Sequence, residues 1–255
     1  MNNHYCTEIN LFIRSLIFWM YSIITIVLYS FVCLAALPCS LRFRHTLIRK
    51  YMHVYFYVLK KVCRLDYRVE GMENIPDSRN GIIMCKHSST WETFFLPQYF
   101  HTPAALAKRE LGWIPFFGWG LALSDPIFIN RNDKKSAMQQ IIDKGRKCLS
   151  EGRSIMIFPE GTRVPFGKVG HYKMGGARLA AATHYPIIPV AHNAGWFWPK
   201  RSFIKKPGTI TVVIGPLIEA GDLKPEELLK LTKDWIEGTM SRIGVQSFVD
   251  KSTGY

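Results

Sequence analysis

The chain has no Cys-x-x-Cys pair, and two of its six cysteines (Cys6, Cys33, Cys39, Cys63, Cys85, Cys148) lie in or beside an apolar run. That usage excludes a zinc site of the common spacings and a disulfide framework, and predicts reduced, structural thiols. There is no Gly-x-Ser-x-Gly elbow, so the nucleophile turn of an α/β-hydrolase is excluded. Internal repeats and low-complexity linkers are also missing, which leaves a single globular unit beyond residue 65. Acidic residues are scarce: 19 Asp and Glu face 33 Lys and Arg, a formal charge of +14, so anionic partners are attracted.

One further absence separates the anionic partners. Ser15 to Leu37, 23 residues, carries no charge and as a helix extends about 35 Å, enough to cross a bilayer core. A cleaved signal peptide has a shorter apolar region, so this segment is expected to stay as an anchor. Basic residues crowd its C-terminal flank (Arg42, Arg44, Arg49, Lys50), whereas Arg14 alone precedes it. That asymmetry puts the main domain on the cytoplasmic side of the inner (cytoplasmic) membrane. The aromatic, basic stretch 45–62 is either a core helix or a helix lying among lipid headgroups. The expected division is therefore 1–65 as membrane anchor and 66–255 as catalytic domain, with membrane phospholipids as partners. Nucleic acid is not expected, because the basic residues flank apolar segments instead of lining one helix or a stacking sheet.

From residue 67 on, short apolar runs alternate with helical patterns. Strands are predicted at 81–85, 104–107, 127–129, 154–158, 187–191 and 209–214, and helices at 91–100, 134–151, 174–183 and 225–243. The fold class is α/β: a mixed, largely parallel central sheet flanked by helices, preceded by membrane-embedded helices. In such folds the active residues gather where strands end.

His87 follows the strand 81–85, and Glu92 opens the next helix. On one helix they would diverge by about 140°, so the pair meets only if His87 sits in the strand-to-helix turn, with Ser88 or Ser89 as N-cap. Glu92 would then orient His87 as a general base. After the strand 154–158 comes Phe158-Pro159-Glu160-Gly161-Thr162-Arg163, where Gly161 permits close backbone approach, Thr162 offers a hydroxyl and Arg163 a fork for phosphate oxygens. Arg131 and Lys108 each stand at a further strand end. The aromatic and glycine-rich stretch 111–120 is core, acyl-tunnel lining or interfacial.

These blocks, in this order over roughly residues 80–195, resemble the glycerolipid acyltransferase family, specifically its 1-acylglycerol-3-phosphate O-acyltransferases. The family's His-x4-Asp is matched by His87 with Glu92 in place of Asp, one methylene longer. The resemblance implies that His87 and Glu92 are catalytic, that Arg131, Glu160, Gly161 and Arg163 bind the phosphate or glycerol of lysophosphatidic acid, and that Pro189 shapes the acceptor and acyl pocket. It implies direct attack of the sn-2 hydroxyl on acyl-CoA or acyl-carrier protein, with no acyl-enzyme, no cofactor and no metal. Backbone N–H groups at the helix start, helped by Lys108, are the expected oxyanion donors.

Overall fold

The computed structural model describes residues 2–75, 80–100, 102–129 and 134–252. Two long helices come first, α1 (Asn2–Ala36) and α2 (Leu41–Cys63), followed by β1 (Leu65–Glu70). Strand β2 (Ile82–Cys85) leads through the His87 turn into the short helix α3 (Trp91–Phe95). Next come β3 (Ala104–Lys108), α4 (Phe117–Leu123), β4 (Ile127–Ile129), α5 (Lys134–Ser150) and β5 (Ile155–Ile157). The chain continues through α6 (Gly175–Thr183), β6 (Ile187–His192), α7 (Ala194–Phe197), β7 (Gly208–Ile214) and α8 (Pro225–Ser252).

The strands form one seven-stranded sheet in the order β1-β7-β6-β2-β5-β3-β4. Only β6 and β7 pair antiparallel; every other neighbouring pair is parallel. Strand β2 has both faces covered, as its unbroken apolar run requires. Its alternation sends Ile83 and Cys85 into a core shared with α2 and α3, and Ile82 and Met84 into one shared with α5 and α6. Because β6, β2, β5, β3 and β4 run the same way, their C-terminal ends share one edge of the sheet. Lys108, His87 and the Phe158–Arg163 turn therefore converge there although they are far apart in sequence.

Helix α2 closes one face of that sheet: Tyr55, Phe56, Leu59 and Cys63 are buried in the same core as Ile83 and Trp91. Residues Glu8–Ala36 of α1 are long and apolar enough to cross a membrane. Phe12, Ile17, Ile23, Ile24, Leu28 and Phe31 are at least half exposed on its outer side, which marks the membrane-associating surface. Its inner side is docked. Phe18 is fully buried edge-on to Tyr55 and Trp198, and Trp19 Nε1 donates to Phe203 O. At the other end Cys33 and Ala36 pack with Ile48 and Leu123.

Candidate active site

The strand β2 ends at Cys85, and the next five residues turn tightly before α3 starts. The N-cap of α3 is Thr90, with no side-chain cap bond, in place of the expected Ser88 or Ser89. The reason lies in Glu92. Its fully buried carboxylate reaches back so that Oε1 accepts from Ser88 N and Ser89 N, both at 2.9 Å, and lies 2.8 Å from His87 Nδ1. Ser89 Oγ is occupied elsewhere, donating to Trp198 O at 2.6 Å and accepting from Trp91 N.

An ionised carboxylate can only accept, so His87 carries its proton on Nδ1 and leaves Nε2 as a free lone pair. The ring is stacked on Phe158, with centroids 4.0 Å apart, and its side chain is 17% exposed. Burial by itself raises the Glu92 carboxyl; opposing it are His192 whenever that ring is protonated, the His87 imidazole and the Ser89 amide, and together they hold the group below its ordinary value. Oε2 of Glu92 makes no hydrogen bond and lies 3.8 Å from His192 Nε2. That histidine is no ion-pair partner. Its Nδ1 accepts from Ala194 N and its Nε2–H donates to Lys86 O, and burial holds it neutral.

His87 opens onto a cleft lined also by Lys108, Gly161, Thr162, Arg163 and Lys200. Arg163 Nη1 donates to Thr90 Oγ1, which tethers the guanidinium beside the His87 turn. At Gly161, φ is +67°, a conformation that favours glycine. Lys200 is the residue that sequence reasoning missed. Its Nζ donates to Arg163 O at 3.0 Å and contacts Thr162 Oγ1, which brings a third cation to the cleft from the loop after α7. Nothing local flags that lysine, because only the tertiary fold brings residue 200 beside residue 163.

A second, almost wholly apolar cavity adjoins the cleft; Thr93, Phe94, Ala105, Phe117, Leu121 and Met156 line both. Ile26, Tyr29, Ile48 and Tyr51 of α1 and α2 form its outer wall. Phe116 and Phe117 of the aromatic and glycine-rich stretch line this cavity, while Trp113 is 72% exposed.

Of three further expected site residues, two stand apart from the cleft. Arg131 lies outside the described residues. Pro189 is buried in β6 opposite Met84, and its carbonyl accepts from Gly215 N. Because β6 is an inner strand covered on both faces, Pro189 lines neither cavity. The Glu160 carboxylate turns inward: Oε2 accepts from His87 N at 2.7 Å and Oε1 is 2.8 Å from Lys86 Nζ. The oxyanion expectation also changes, since the Ser88, Ser89 and Trp91 N–H groups are already committed to Glu92 and Ser89. Among the described residues no group of three His, Cys, Asp or Glu side chains gathers as metal ligands.

A family model described as Acyltransferase matches residues 66–193. A 1-acyl-sn-glycerol-3-phosphate acyltransferase of Pseudomonas aeruginosa is 42% identical over 217 residues, 84% of each chain. One from Borreliella burgdorferi is 33% identical over 69% of this chain and 72% of its own. The crystal structure of a 1-acyl-sn-glycerophosphate acyltransferase from Thermotoga maritima superposes with a TM-score of 0.79 at 26% identity, covering 93% of this chain and 97% of that one. With an oriented His–Glu pair facing a cation-lined cleft and a family match across the sheet that builds it, this chain belongs to the acyltransferase family.

Proposed function

We propose that the chain transfers a fatty acyl group from acyl-CoA or acyl-carrier protein to the sn-2 hydroxyl of lysophosphatidic acid, forming phosphatidic acid. The observation that carries this is the cleft at His87: it is lined by cations, it shares one wall with an apolar cavity, and the Glu92 carboxylate lies on Nδ1 of the ring, leaving Nε2 to face a substrate. Arg163, Lys108 and Lys200 suit a phosphomonoester with about two negative charges. Thr162 and the Gly161 backbone face the same headgroup. Two apolar chains meet at the reaction, and the second cavity fits one of them.

His87 Nε2 takes the proton of the acceptor hydroxyl as its oxygen attacks the thioester carbonyl. The resulting imidazolium is stabilised by the buried Glu92 carboxylate on Nδ1. Collapse of the tetrahedral intermediate expels the thiolate, which recovers the proton from His87. With the nearest backbone N–H groups committed, the oxyanion falls to side-chain donors such as Lys108. Base catalysis supplies roughly 10²–10⁴-fold, so holding the headgroup in register supplies much of the rest. The donor is a substrate, and no cofactor or metal enters the step.

The anchor lies along the domain in this proposal. Contacts of α1 with the domain run from Phe12, against Phe203, to Ala36, beside Leu123, about 36 Å of helix at 1.5 Å per residue. A helix held along that whole length to a domain on the cytoplasmic face of the inner membrane embeds its outer side in one leaflet and does not cross. In sealed vesicles, a tag on the first residues should be digested along with the catalytic domain, and protection of the tag alone would overturn the one-leaflet arrangement. For the reaction, acyl transfer to lysophosphatidic acid from each donor is compared between wild type and His87→Ala in liposomes. Phosphatidic acid from the wild type alone is expected, and no product with either donor refutes the proposed acceptor.

A further inference from the structure

Lys86, immediately before the base, is among the most deeply buried side chains of the domain, 1% exposed. Its ammonium has three donors and three oxygen partners: Glu160 Oε1 at 2.8 Å, Glu237 Oε1 of α8 at 2.8 Å and Lys168 O at 3.1 Å. The contact with Glu160 is an ion pair, not a well-aimed hydrogen bond. Glu237 is itself fixed by Tyr172, whose hydroxyl donates to the same oxygen at 2.7 Å. A buried ion pair of this kind is poor value for stability alone, because apolar side chains of similar volume do as well or better.

Its geometry points instead to the neighbouring histidine. Glu160 uses its other oxygen, Oε2, to accept the His87 backbone N–H at 2.7 Å, short for an N–H···O bond and typical of a charged acceptor. His87 O in turn accepts from Val164 N at 2.7 Å, so both backbone groups of the base are held by the Phe158–Arg163 turn and the residue after it. Burial pushes the Glu160 carboxyl up, and Lys86 works against that rise. The titratable groups around it are Lys86 and Cys85 from the end of β2, Tyr172 ahead of α6, and Glu237 from α8.

We propose that Lys86 is a positioning residue for the base, acting through Glu160: held in place by Glu237, it keeps the Glu160 carboxylate aimed at the His87 backbone, so that Glu160 supports the catalytic histidine and does not contact substrate. The proposal builds on the reaction set out above, yet its first readout needs no turnover. In protein labelled with 15N-histidine, the His87 amide, identified by its loss in His87→Ala, should resonate at low field. Lys86→Met should move it upfield at neutral pH and return it as pH rises and Glu160 ionises.

Kinetically, Lys86→Met should lower kcat by roughly tenfold to a hundredfold, the cost of a slightly misplaced base, with the acceptor KM within about twofold. The deficit should shrink toward higher pH. Glu237→Gln, which loosens Lys86 but also removes a negative charge beside Glu160, should lower kcat less than Lys86→Met does. Because Lys86→Met leaves the buried Glu160 carboxylate without its cation, Lys86→Met/Glu160→Gln, which removes both members of that pair, is measured beside it as a folding control. That double variant should be no slower than Glu160→Gln alone, because the two residues act as one unit. An unmoved His87 amide together with wild-type kcat in Lys86→Met would overturn the proposal, as would a Glu160→Gln variant with unchanged kcat and a raised acceptor KM. A wild type that makes no phosphatidic acid, but whose His87 amide responds to Lys86→Met, would sink the proposed reaction and uphold the positioning role.

Discussion

Replacing Glu92 with Gln removes one charge and almost no volume from the centre of the site. The amide oxygen can still accept from Ser88 N and Ser89 N, so the turn around His87 is kept. What goes is the attraction between the carboxylate and the imidazolium formed when His87 takes the hydroxyl proton. The two groups touch at 2.8 Å, which puts their charge centres about 4 Å apart; at an effective dielectric constant of about 20 that is about 4 kcal/mol. A base that takes a proton starts without it, so this loss falls on the transition state, and kcat should drop by roughly 10³-fold. The assay is release of free thiol from acyl-CoA on addition of lysophosphatidic acid, with acceptor KM measured in parallel. A fall in kcat of less than about tenfold, or a rise in KM without a fall in kcat, would refute Glu92 as the partner of the base.

Other perturbations probe other parts of the molecule. Arg163→Ala should raise the acceptor KM by roughly 10²-fold and Lys200→Ala by about tenfold, as expected for a forked and a single charge-assisted contact; steady-state kinetics in mixed micelles reads both, and an unchanged KM in either removes that residue from the clamp. Phe18→Ala should destabilise the protein by about 3–5 kcal/mol, measured by denaturant unfolding in detergent, because the fully buried ring ties α1 to the domain core. A loss below about 1 kcal/mol would show α1 undocked. The Glu92 carboxyl lies below its ordinary value of 4.5, so its contribution to stability is present above that pH and is lost as pH falls through the lower folded value. Thermal melts should therefore fall less steeply below pH 4.5 in Glu92→Gln than in wild type, and parallel curves would refute the sign.

Much of the layout was legible because it rests on local periodicity. The six predicted strands recur within one or two residues of their observed limits, and the four predicted helices begin at or next to their expected starts. Strand β1 was missed since Leu-Asp-Tyr-Arg-Val-Glu carries a charge at every second position, as an edge strand with one wet side tolerates. Helices α4 and α7 were missed because glycines and aromatic residues hide a helical period in seven and four residues. The His87–Glu92 contact was foreseeable from the requirement that the pair straddle a turn. That the same carboxylate would consume the Ser88 and Ser89 N–H groups was not.

By itself the sequence determined the α/β class, the apolar N-terminal segment, the order of the strand-end residues and the histidine with a carboxylate behind it, all of which depend on neighbours within a few positions. Only the tertiary structure decided that α2 covers a face of the sheet and that α1 lies along the domain, in contact with it from Phe12 to Ala36. It also decided that Lys200 joins the cleft, and that Glu160 turns from the cleft toward Lys86. Each of those outcomes depends on groups brought together from distant positions, such as Lys86 with Glu237 or Arg163 with Lys200, where burial and opposite charge choose the partner and spacing along the chain carries no signal.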